Sequence, residues 1–413
     1  MEELNSGASL EYTRQINLRL ILRAIKNNGP ISRANLARLV KLSPPTVSSL
    51  VAKLETAKLV RGTDKDQSDR GRPPQMVEFI EHAGYVIALE INYTFIRATY
   101  ATLRGTPLKV AREPRNRFAV VSETIDQCVE LVKQLSIQSQ IPLSDISALS
   151  ISVPGIVNSE TGEVVLAKHL LGWHQVPLGK LIQSALGIPV FVENDIRCAA
   201  LGEFAYGVAQ GHKSFVYIGL CGGIGSAIIL NGALIHGSHF LAGEIGYLST
   251  NLGSTGNTSI ERKYLENIIS IGVIRENILQ ELRRGRRSSL EEISPADEDQ
   301  MTLSHILANA RENDAFALEV TNDLAKGLAY AVANMSVMFD PDLIVLGPNY
   351  GAGEEILLAE VEKLLDQQLP FHPEVTLSQF SSNGMASGAL FIAGEKAIEQ
   401  FLANLNGSGP TGS

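Results

Sequence analysis

The sequence predicts an α/β protein with a winged helix-turn-helix domain at its amino terminus. Beyond about residue 81, β-branched apolar runs alternate with Ala- and Leu-rich runs, which is the pattern of α/β lobes. Residues 1–75 contain 13 Lys+Arg and 7 Asp+Glu, a balance of +6. Because the net charge of the whole chain is −9, residues 76–413 carry a net charge of −15. Because residues 1–75 are basic and the rest of the chain is acidic, the charge pattern indicates that only the amino-terminal part binds a polyanion.

Length and composition limit the number of domains and the class of protein. The chain has 413 residues, enough for two or three domains, and its 45% hydrophobic and 19% charged residues are ordinary for a globular protein. The three cysteines, Cys128, Cys198 and Cys221, lie far apart, which argues against a disulfide framework or a cysteine-built metal site. No apolar leader and no membrane-length apolar span is present, so we expect a cytoplasmic protein without a membrane partner.

The head, residues 1–80, begins with three predicted helices. Apolar residues recur through Thr13–Asn28, and Gly29-Pro30 follows as a terminator. Ser32 is placed to cap a short helix that ends at Val40. Ser43 is placed to cap a third helix, whose first position is Pro44. Two short helices joined by a tight turn predict a helix-turn-helix.

The third helix has one apolar face and one polar face. Its apolar positions, Val47, Leu50, Val51 and Leu54, follow helical spacing. Small or cationic residues on the other side can approach base edges and phosphates. The residues predicted to contact DNA from this helix are Ser43, Thr46, Ser48, Ser49 and Lys53.

A wing is predicted after the third helix. Residues 59–61 and 76–79 read as two strands, and the loop between them, residues 64–74, carries Arg70 and Arg72, two cations suited to phosphates or a minor groove. The alternative is a three-helix protein-interaction module with a solvated charged loop. The charge sign, the caps and the wing together favour DNA binding.

The body shows a chain of strands and helices. Predicted strands cover residues 85–91, 96–103, 146–153, 190–192, 215–220 and 343–347, and Asn231-Gly232 predicts a hairpin turn. Predicted helices cover residues 123–138, 196–204, 323–339 and 386–404. Residues 283–299 read as an exposed insertion, and residues 406–413 as a disordered tail.

The stretch Glu193-Asn194-Asp195 lies at a predicted strand-to-helix junction. Ligands of open α/β sheets bind at the carboxyl ends of strands, where helix N–H groups are also available. An amide beside a carboxylate can donate to and accept from sugar hydroxyls, so the pair suits a polyol. The alternative is that Asn194 or Asp195 simply caps the helix.

Several motifs in order make the body resemble the sugar-kinase-related ROK family over nearly the entire chain. They are Val153-Pro154-Gly155, Val192-Glu193-Asn194-Asp195, Gly223-Ile224-Gly225, Asn231-Gly232, Ala242-Gly243-Glu244-Ile245-Gly246 and Asp340-Pro341-Asp342 through Gly347. Each is weak alone, whereas their order and spacing are specific. The resemblance implies an actin-like, ribonuclease-H-like fold with two lobes that close over a sugar. The amino-terminal winged helix distinguishes the family's transcription regulators from its kinases.

The resemblance also implies a domain division and a sugar site. The first lobe is expected at residues 81–200 plus about 383–405, and the second at residues 201–382. The implied sugar-binding residues are Gly155, Asn194, Asp195, Glu244, Tyr247 and Glu261.

The chain departs from the family's kinases at both phosphate loops. The family's Asp-x-Gly-Gly-Thr turn corresponds here to Glu90-Ile91-Asn92-Tyr93-Thr94, so both glycines are absent. Gly-Thr-Gly-Ile-Gly corresponds to residues 221–225, which begin Cys-Gly-Gly and lack the threonine. A general base without a bound phosphoryl donor does no chemistry, so we expect Asp195 to bind sugar and no catalytic residue to remain.

The family's zinc site is also expected to be absent. Its histidine corresponds to Tyr247, and its three cysteines align with Leu252, Ser254 and Ser259. These side chains supply no thiolate or imidazole, so the sequence predicts no metal and no other cofactor.

Three functions follow as hypotheses. The first is a sugar-responsive repressor of carbohydrate-utilisation genes that binds an inverted-repeat operator on double-stranded DNA as a homodimer or a dimer of dimers. The second is an ATP-dependent sugar kinase with an added DNA-binding head. The third is a regulator whose pocket is vestigial and which responds to a protein partner.

Overall fold

The computed structural model describes residues 6–63, 75–250, 264–292, 301–381 and 383–405. Arg70, Arg72 and Glu261, the aligned positions 252, 254 and 259, and the tail 406–413 therefore lie outside the described residues. No helix in the described part of the chain is long and apolar enough to cross a membrane.

The head folds as three helices and a three-stranded sheet of strand order β1-β3-β2. Its elements are α1 (Ser6–Asn28), β1 (Ile31–Ser32), α2 (Arg33–Val40), α3 (Pro44–Thr56), β2 (Val60–Thr63) and β3 (Met76–Phe79). Both predicted caps are confirmed: the Ser32 Oγ accepts from the Asn35 N–H at 3.2 Å, and the Ser43 Oγ accepts from the Thr46 N–H at 3.3 Å. Helix α1 begins earlier than predicted and ends at Asn28, as predicted.

The first lobe is built on a five-stranded sheet of order β11-β7-β4-β5-β6. Its elements are β4 (Tyr85–Ile91), β5 (Phe95–Thr102), β6 (Pro107–Pro114), α4 (Val121–Ser139), β7 (Ile146–Val153), β8 (Ile156–Asn158), β9 (Glu163–Leu166), β10 (His174–Val176), α5 (Leu178–Leu186), β11 (Val190–Asn194) and α6 (Asp195–Tyr206). Strands β4, β7 and β11 are parallel, and β5 and β6 pair antiparallel.

The second lobe repeats this topology. Its elements are β12 (Phe215–Leu220), β13 (Ile224–Leu230), β14 (Ala233–Leu234), α7 (Glu266–Ile269), α8 (Ile271–Arg283), α9 (Leu303–Arg311), α10 (Ala315–Phe339), β15 (Leu343–Gly347), α11 (Glu354–Gln368) and β16 (Glu374–Leu377). The helix that follows them, α12 (Gly384–Asn404), packs on the first lobe. The sheet of the second lobe has the order β14-β13-β12-β15-β16. When the strands are numbered in chain order within each five-stranded sheet, both sheets read 3-2-1-4-5 from one edge, with the same parallel and antiparallel pairings. The predicted two-lobed, ribonuclease-H-like α/β fold is thereby confirmed.

Helix α6 passes through the predicted boundary between residues 200 and 201. One continuous helix therefore leads from the first sheet towards the second, and the division of the chain at that point stays a prediction. Helix α12 returns from the second sheet to pack on α6 and on strands β4 and β7. In the insertion predicted at residues 283–299, the described part holds the end of α8 and a short helical turn over Ser289–Glu292.

Helices α6 and α12 pack at glycine contacts. A Cβ added to Gly388 on α12 would lie 1.7 Å from the carbonyl oxygen of Cys198 on α6. A Cβ added to Gly202 on α6 would lie 2.7 Å from the carbonyl oxygen of Gly384. Both obstacles are backbone atoms, so neither can be relieved by a side-chain rotation.

The head packs on the same helix α12. Glu395 accepts hydrogen bonds from the Nε and Nη2 atoms of Arg23 at 3.1 and 2.5 Å, and from the Lys26 Nζ at 3.4 Å. Arg104 of the first lobe donates to the Lys26 carbonyl at 2.5 Å. Lys26 is buried, so its charge depends on Glu395 for compensation. Apolar residues of the head and of α12 belong to one continuous core.

The glycine contact between α6 and α12 gives a stability prediction. Replacing Gly388 with Ala forces two backbones apart, and overpacking of this kind costs about 1–3 kcal/mol or more of the free energy of unfolding. Gly272→Ala on α8 is the matched control, because a Cβ at that position meets nothing within 4 Å, and such a change typically stabilises by about 0.4–1 kcal/mol. Thermal unfolding should show a lower Tm for the first variant only. A Gly388→Ala protein with an unchanged Tm would contradict the close contact.

Candidate functional site

A cavity of about 110 Å³ opens between the two lobes, at the carboxyl ends of β7 and β11. This end of an α/β sheet is where ligands bind. We call this space the central cavity. Its lining residues are Tyr93, Pro154, Gly155, Ile156, Leu166, Lys168, His169, Asn194, Asp195, Ile196, Cys221, Gly223, Ile224, Gly225, Glu244, Gly246, Tyr247 and Glu266.

Asp195 faces the cavity from the first turn of α6. Its Oδ1 accepts hydrogen bonds from the Ile196 N–H at 2.8 Å and from the Asn194 Nδ2 at 3.0 Å. Burial raises the pKa of Asp195 to about 6, and the nearby charge of Glu90 contributes to the rise. A carboxylate held at one oxygen by the protein can accept hydrogen bonds from a ligand at the other oxygen.

Asn194 caps helix α6 and also lines the central cavity. Its Oδ1 accepts from the Arg197 N–H at 3.0 Å, while its Nδ2 donates to the Gly155 carbonyl at 2.9 Å and to Asp195. The amide therefore fixes the orientation of Asp195. Gly155 has φ +106°, and a Cβ there would lie 2.3 Å from the Leu166 carbonyl oxygen, so the turn requires glycine.

Two further carboxylates and one cation border the cavity. Burial raises the pKa of Glu244, whereas the imidazole of His169, whose Nε2 lies 4.0 Å from a carboxylate oxygen of Glu266, lowers the pKa of Glu266. The Lys168 Nζ lies 4.2 Å from the centre of the Tyr247 ring. The cavity thus offers carboxylate acceptors, a cation and an aromatic face, a combination that can hold a polyhydroxylated ring.

A buried network fixes the loop that leads to Glu244. The Glu193 carboxylate accepts from the His236 Nε2 at 2.8 Å and from the Arg197 Nη1 at 3.4 Å. The Arg197 Nη2 in turn donates to the carbonyl oxygens of Phe240 at 2.7 Å and Ala242 at 3.3 Å. Although burial opposes ionisation, the hydrogen bond from His236 and its charge, with the charge of Arg197, lower the pKa of Glu193. Helix α6 and this loop of the second lobe are therefore held together.

Tyr93 fills the space between the two turns that correspond to the phosphate loops. A Cβ added to Gly222 would lie 3.2 Å from a ring carbon of Tyr93. The Tyr93 and His169 rings are in edge-to-face contact with centroids 5.6 Å apart. Burial, with the negative charges of Asp195 and Glu266, raises the pKa of the Tyr93 phenol. The ring thus lies against the second lobe and, with Asp195, lines the central cavity.

The side chain of Glu90, which precedes the turn that contains Tyr93, also has a partner. Glu90 is buried and forms an ion pair with Arg97, its cross-strand neighbour on β5. Burial raises the pKa of Glu90, and the charge of Arg97 opposes that rise. A carboxylate neutralised in this way is poorly placed to hold a metal–phosphate group.

Tyr350 closes the corresponding end of the second sheet. Its hydroxyl lies within hydrogen-bond distance of the carbonyl oxygens of Gly347, at 2.8 Å, and Leu220, at 3.0 Å. These residues end strands β15 and β12. A phenol therefore links two strand ends at the edge where a ligand of the second sheet would bind.

The head presents helix α3 to solvent as predicted. Ser43, Ser48 and Ser49 are exposed, and Thr46 and Lys53 are half-buried. Ser43 and Thr46 also form a hydroxyl–hydroxyl hydrogen bond of 2.8 Å. An ion pair of 2.9 Å between Arg33 and Glu55 fixes α3 against α2. The outer face of α3 is small and polar, so it can approach a groove.

Five of the six sequence-predicted sugar residues line the central cavity: Gly155, Asn194, Asp195, Glu244 and Tyr247. Glu261, Arg70 and Arg72 fall in segments that the structure does not describe. Tyr93, Lys168, His169 and Glu266 also line the cavity, and none of them is among the six sequence-predicted sugar residues.

The described residues contain no group of three or more His, Cys, Asp or Glu side chains that could hold a metal ion. Tyr247 stands where the resemblance places a zinc ligand, but the other aligned positions lie outside the described ranges. The expectation of no metal stays a prediction.

Comparisons with known proteins agree with these two parts. The model of the ROK family matches residues 86–396, and that of a winged helix-turn-helix DNA-binding domain matches residues 14–61. The chain is 27% identical to a putative xylose repressor from Caldicellulosiruptor sp. (strain Rt8B.4), over 85% of this chain and 88% of the relative. It is 25% identical to the DNA-binding transcriptional repressor Mlc of Escherichia coli (strain K12), over 94% and 95%.

A solved structure shows the same fold over nearly the whole length. It is that of a ROK family transcriptional regulator described as a homologue of the E. coli MLC protein. The TM-score is 0.81 at 24% identity, covering 95% of this chain and 99% of the other.

The raised pKa of Asp195 predicts a stability gain from its removal. The folded state binds the proton more tightly than the unfolded chain, whose Asp pKa is near 3.8. Ionised Asp195 therefore opposes folding, by an amount that grows from about pH 4 and is complete above about pH 6. Asp195→Asn should raise the free energy of unfolding on the order of 1–3 kcal/mol at pH 8 and leave it unchanged at pH 4.

The measurement is the Tm of both proteins from pH 4 to pH 8. Asp126→Asn on the exposed side of α4 is the control, and it should follow the wild-type protein throughout. An Asp195→Asn protein that is less stable at pH 8 than at pH 4, relative to the wild-type protein, would contradict the assignment.

Proposed function

The chain belongs to the ROK family, and on that premise we propose that it is a sugar-responsive DNA-binding transcription regulator, a repressor of carbohydrate-utilisation genes. The observation that carries the proposal is the combination of a winged helix-turn-helix head with a carboxylate-lined cavity between the lobes. Relatives that align over most of the chain are named as repressors, one of them as a putative one, which supports the same conclusion.

Each lining residue has a distinct role in this proposal. Asp195 and Glu244 accept hydrogen bonds from sugar hydroxyls, because carboxylates give short, strong bonds to such donors. Asn194 and Gly155 position Asp195 through the hydrogen bonds described above. Tyr247 and Lys168 border the opening and select among sugars by shape. Glu261 remains a proposed ligand from the resemblance alone.

We propose that the protein is not a kinase. In-line phosphoryl transfer needs a donor phosphate beside the sugar hydroxyl that the base activates. Tyr93 occupies that approach, Glu90 is paired with Arg97, and Tyr350 links the strand ends of the second sheet. The alternative, a sugar kinase with a DNA-binding head, requires all three obstacles to move on nucleotide binding.

The head is proposed to bind double-stranded DNA through α3 and the wing. Ser43, Thr46, Ser48, Ser49 and Lys53 are the proposed contacts from α3. From the wing, Arg70 and Arg72 are proposed on sequence grounds alone. A homodimer, or a dimer of dimers, would place two heads on an inverted repeat. The site of action would be the cytoplasm, where the operator DNA lies.

Sugar binding is proposed to reach the head through α6 and α12. Asp195 is the first residue of α6, and α6 packs on α12 through contacts that tolerate no side chain. Helix α12 carries Glu395, which binds Arg23 and Lys26 of α1. A shift of α6 on lobe closure would therefore move α12 and the head together.

The direct test measures operator affinity by fluorescence anisotropy, with DNA obtained by selection in vitro. The titrations use no sugar or a panel of glucose, mannose, xylose, ribose and N-acetylglucosamine, with their phosphates. At least one sugar should change the Kd about 5–150-fold, the usual range of allosteric coupling. Asp195→Asn should bind the operator normally and lose that response.

Other results would select the rival hypotheses. Full induction that survives both Asp195→Asn and a separate Glu244→Gln change would favour a vestigial pocket and a protein partner. Release of ADP that depends on Asp195 would establish a kinase. The absence of any sugar effect on operator affinity would contradict the proposal.

The proposed route through α12 gives a separate prediction for Glu395. Glu395→Gln weakens the contact with Arg23 and Lys26, so sugar affinity and single-head DNA affinity should be retained while the coupling between them falls at least several-fold. Glu360→Gln, which affects an exposed pair with Lys363 on α11, is the control. The measurement is the ratio of operator Kd values with and without saturating sugar. A wild-type ratio in Glu395→Gln would mean that the signal takes another route.

A further inference from the structure

Strand β6 forms an open edge of the first-lobe sheet. Among the strands that the structure describes, only β5 pairs with it. Every residue of Pro107–Pro114 is exposed or half-buried. An unpaired strand edge presents main-chain N–H and C=O groups that can pair with a further strand. None of the roles proposed above uses this edge.

The ladder between β5 and β6 determines which main-chain groups of β6 are free. The Arg115 N–H, directly after β6, donates to the Thr94 carbonyl at 2.8 Å, and the pairing register is unbroken from there back to Lys109. In an antiparallel ladder, every second residue directs both of its main-chain groups to the same neighbour. Arg112 and Val110 therefore direct their N–H and C=O groups away from β5, towards the open edge.

Both ends of the open edge restrict pairing to its centre. A β-bulge leaves Leu108 without a cross-strand partner on β5. At the other end, Pro114 has no N–H to donate. The regular window between them, residues 109–113, is centred on Ala111. Two identical strands that pair antiparallel use the same window twice, so their two-fold axis passes through Ala111.

The charges on β6 complement each other about that axis. With the axis at Ala111, Lys109 of each copy lies directly opposite Glu113 of the other. Lys109 is exposed and forms no ion pair with a described residue, and the Glu113 carboxylate accepts from the Gln127 Nε2 of α4 at 3.4 Å. Charges at a strand edge normally keep strands apart. Here opposite charges meet twice, and such cross-strand pairs stabilise a sheet.

Exposed apolar side chains surround the same edge. Leu108 and Val110 belong to β6, and Phe118 and Val120 follow within six residues of its end. Phe118 is 80% exposed. A concentration of large apolar side chains on a surface is typical of a protein interface. The edge therefore combines free main-chain groups, matched charges and apolar surface.

We propose that two copies of this chain pair through their β6 strands, antiparallel about a two-fold axis at Ala111. In each copy the Val110 N–H donates to the Arg112 carbonyl of the other, and the Arg112 N–H donates to the Val110 carbonyl of the other. The two first-lobe sheets are thereby joined edge to edge, as in other complexes formed by strand addition. This inference rests on the homodimer of the proposed function and names its surface, and the pairing needs neither sugar nor DNA.

The test is analytical ultracentrifugation of the full chain over a concentration series. The wild-type chain should dimerise reversibly. Lys109→Glu and Glu113→Lys should each raise the dimer Kd about ten-fold, because each places like charges opposite one another at two points. The double variant restores opposite charges with their signs exchanged, so its Kd should return to the wild-type value. Lys133→Glu, an exposed cation on α4, is the matched control and should leave the Kd unchanged.

The remaining outcomes would overturn the inference. A chain that is monomeric at every concentration would leave the edge to a strand of another protein or to none. A dimer that neither charge reversal weakens would be held by a different surface. Single changes that weaken the dimer without recovery in the double variant would place the axis away from Ala111. The sugar response of operator binding is measured separately, so each of these results can occur while the proposed function stands.

Discussion

The contact between α6 and α12 is the constraint on which the proposed regulation depends. At Gly388 the two backbones approach so closely that a single added carbon would overlap the Cys198 carbonyl oxygen. Two helices in such close contact move together rather than slide past each other, because protein interiors are as densely packed as crystals. One of them begins at the carboxylate that faces the central cavity, and the other carries Glu395, which binds the head. The proposed regulation therefore requires Asp195 on α6 and Glu395 on α12 to move together.

The same scaffold accounts for the difference between a sugar-binding regulator and a kinase. Under the proposed function, the acidic groups of the central cavity bind sugar, and protein side chains fill the end of the cleft where a kinase would hold phosphate. Tyr93 lies against Gly222, and the Tyr350 hydroxyl lies within hydrogen-bond distance of two strand ends.

Much of the fold was predictable from the sequence because its signals are local. Ser32 and Ser43 precede their helices as caps, and the buried strands β4 and β15 read as largely apolar runs. Strand β6 was missed because it lies at a sheet edge with an exposed, charged sequence and lacks apolar alternation. At the site, Asp195 and Glu244 were found through motif resemblance. In the sequence, Tyr93 stands out only because it replaces a glycine of the family's first phosphate turn. Its position against Gly222 depends on how that turn and the turn at residues 221–225 meet in space.

Glu266 shows what sequence reasoning could not reach. It lies on α7 of the second lobe, and only the closure of the two sheets onto one cleft places it with Asp195 around the central cavity. No spacing rule connects residues separated by so much chain. The Glu395 contact is similar, because it joins α1 to α12 across nearly the full length of the sequence.

The most direct test of the central claim is the affinity for sugar measured twice, once with free protein and once with protein saturated with operator DNA. Coupling between two sites is reciprocal, so any factor by which sugar changes operator affinity must reappear here. The account predicts that operator DNA changes the sugar Kd by that same factor, and that the change is lost when Glu395 no longer binds the head. An identical sugar Kd with and without operator DNA would show that the cavity and the head are independent.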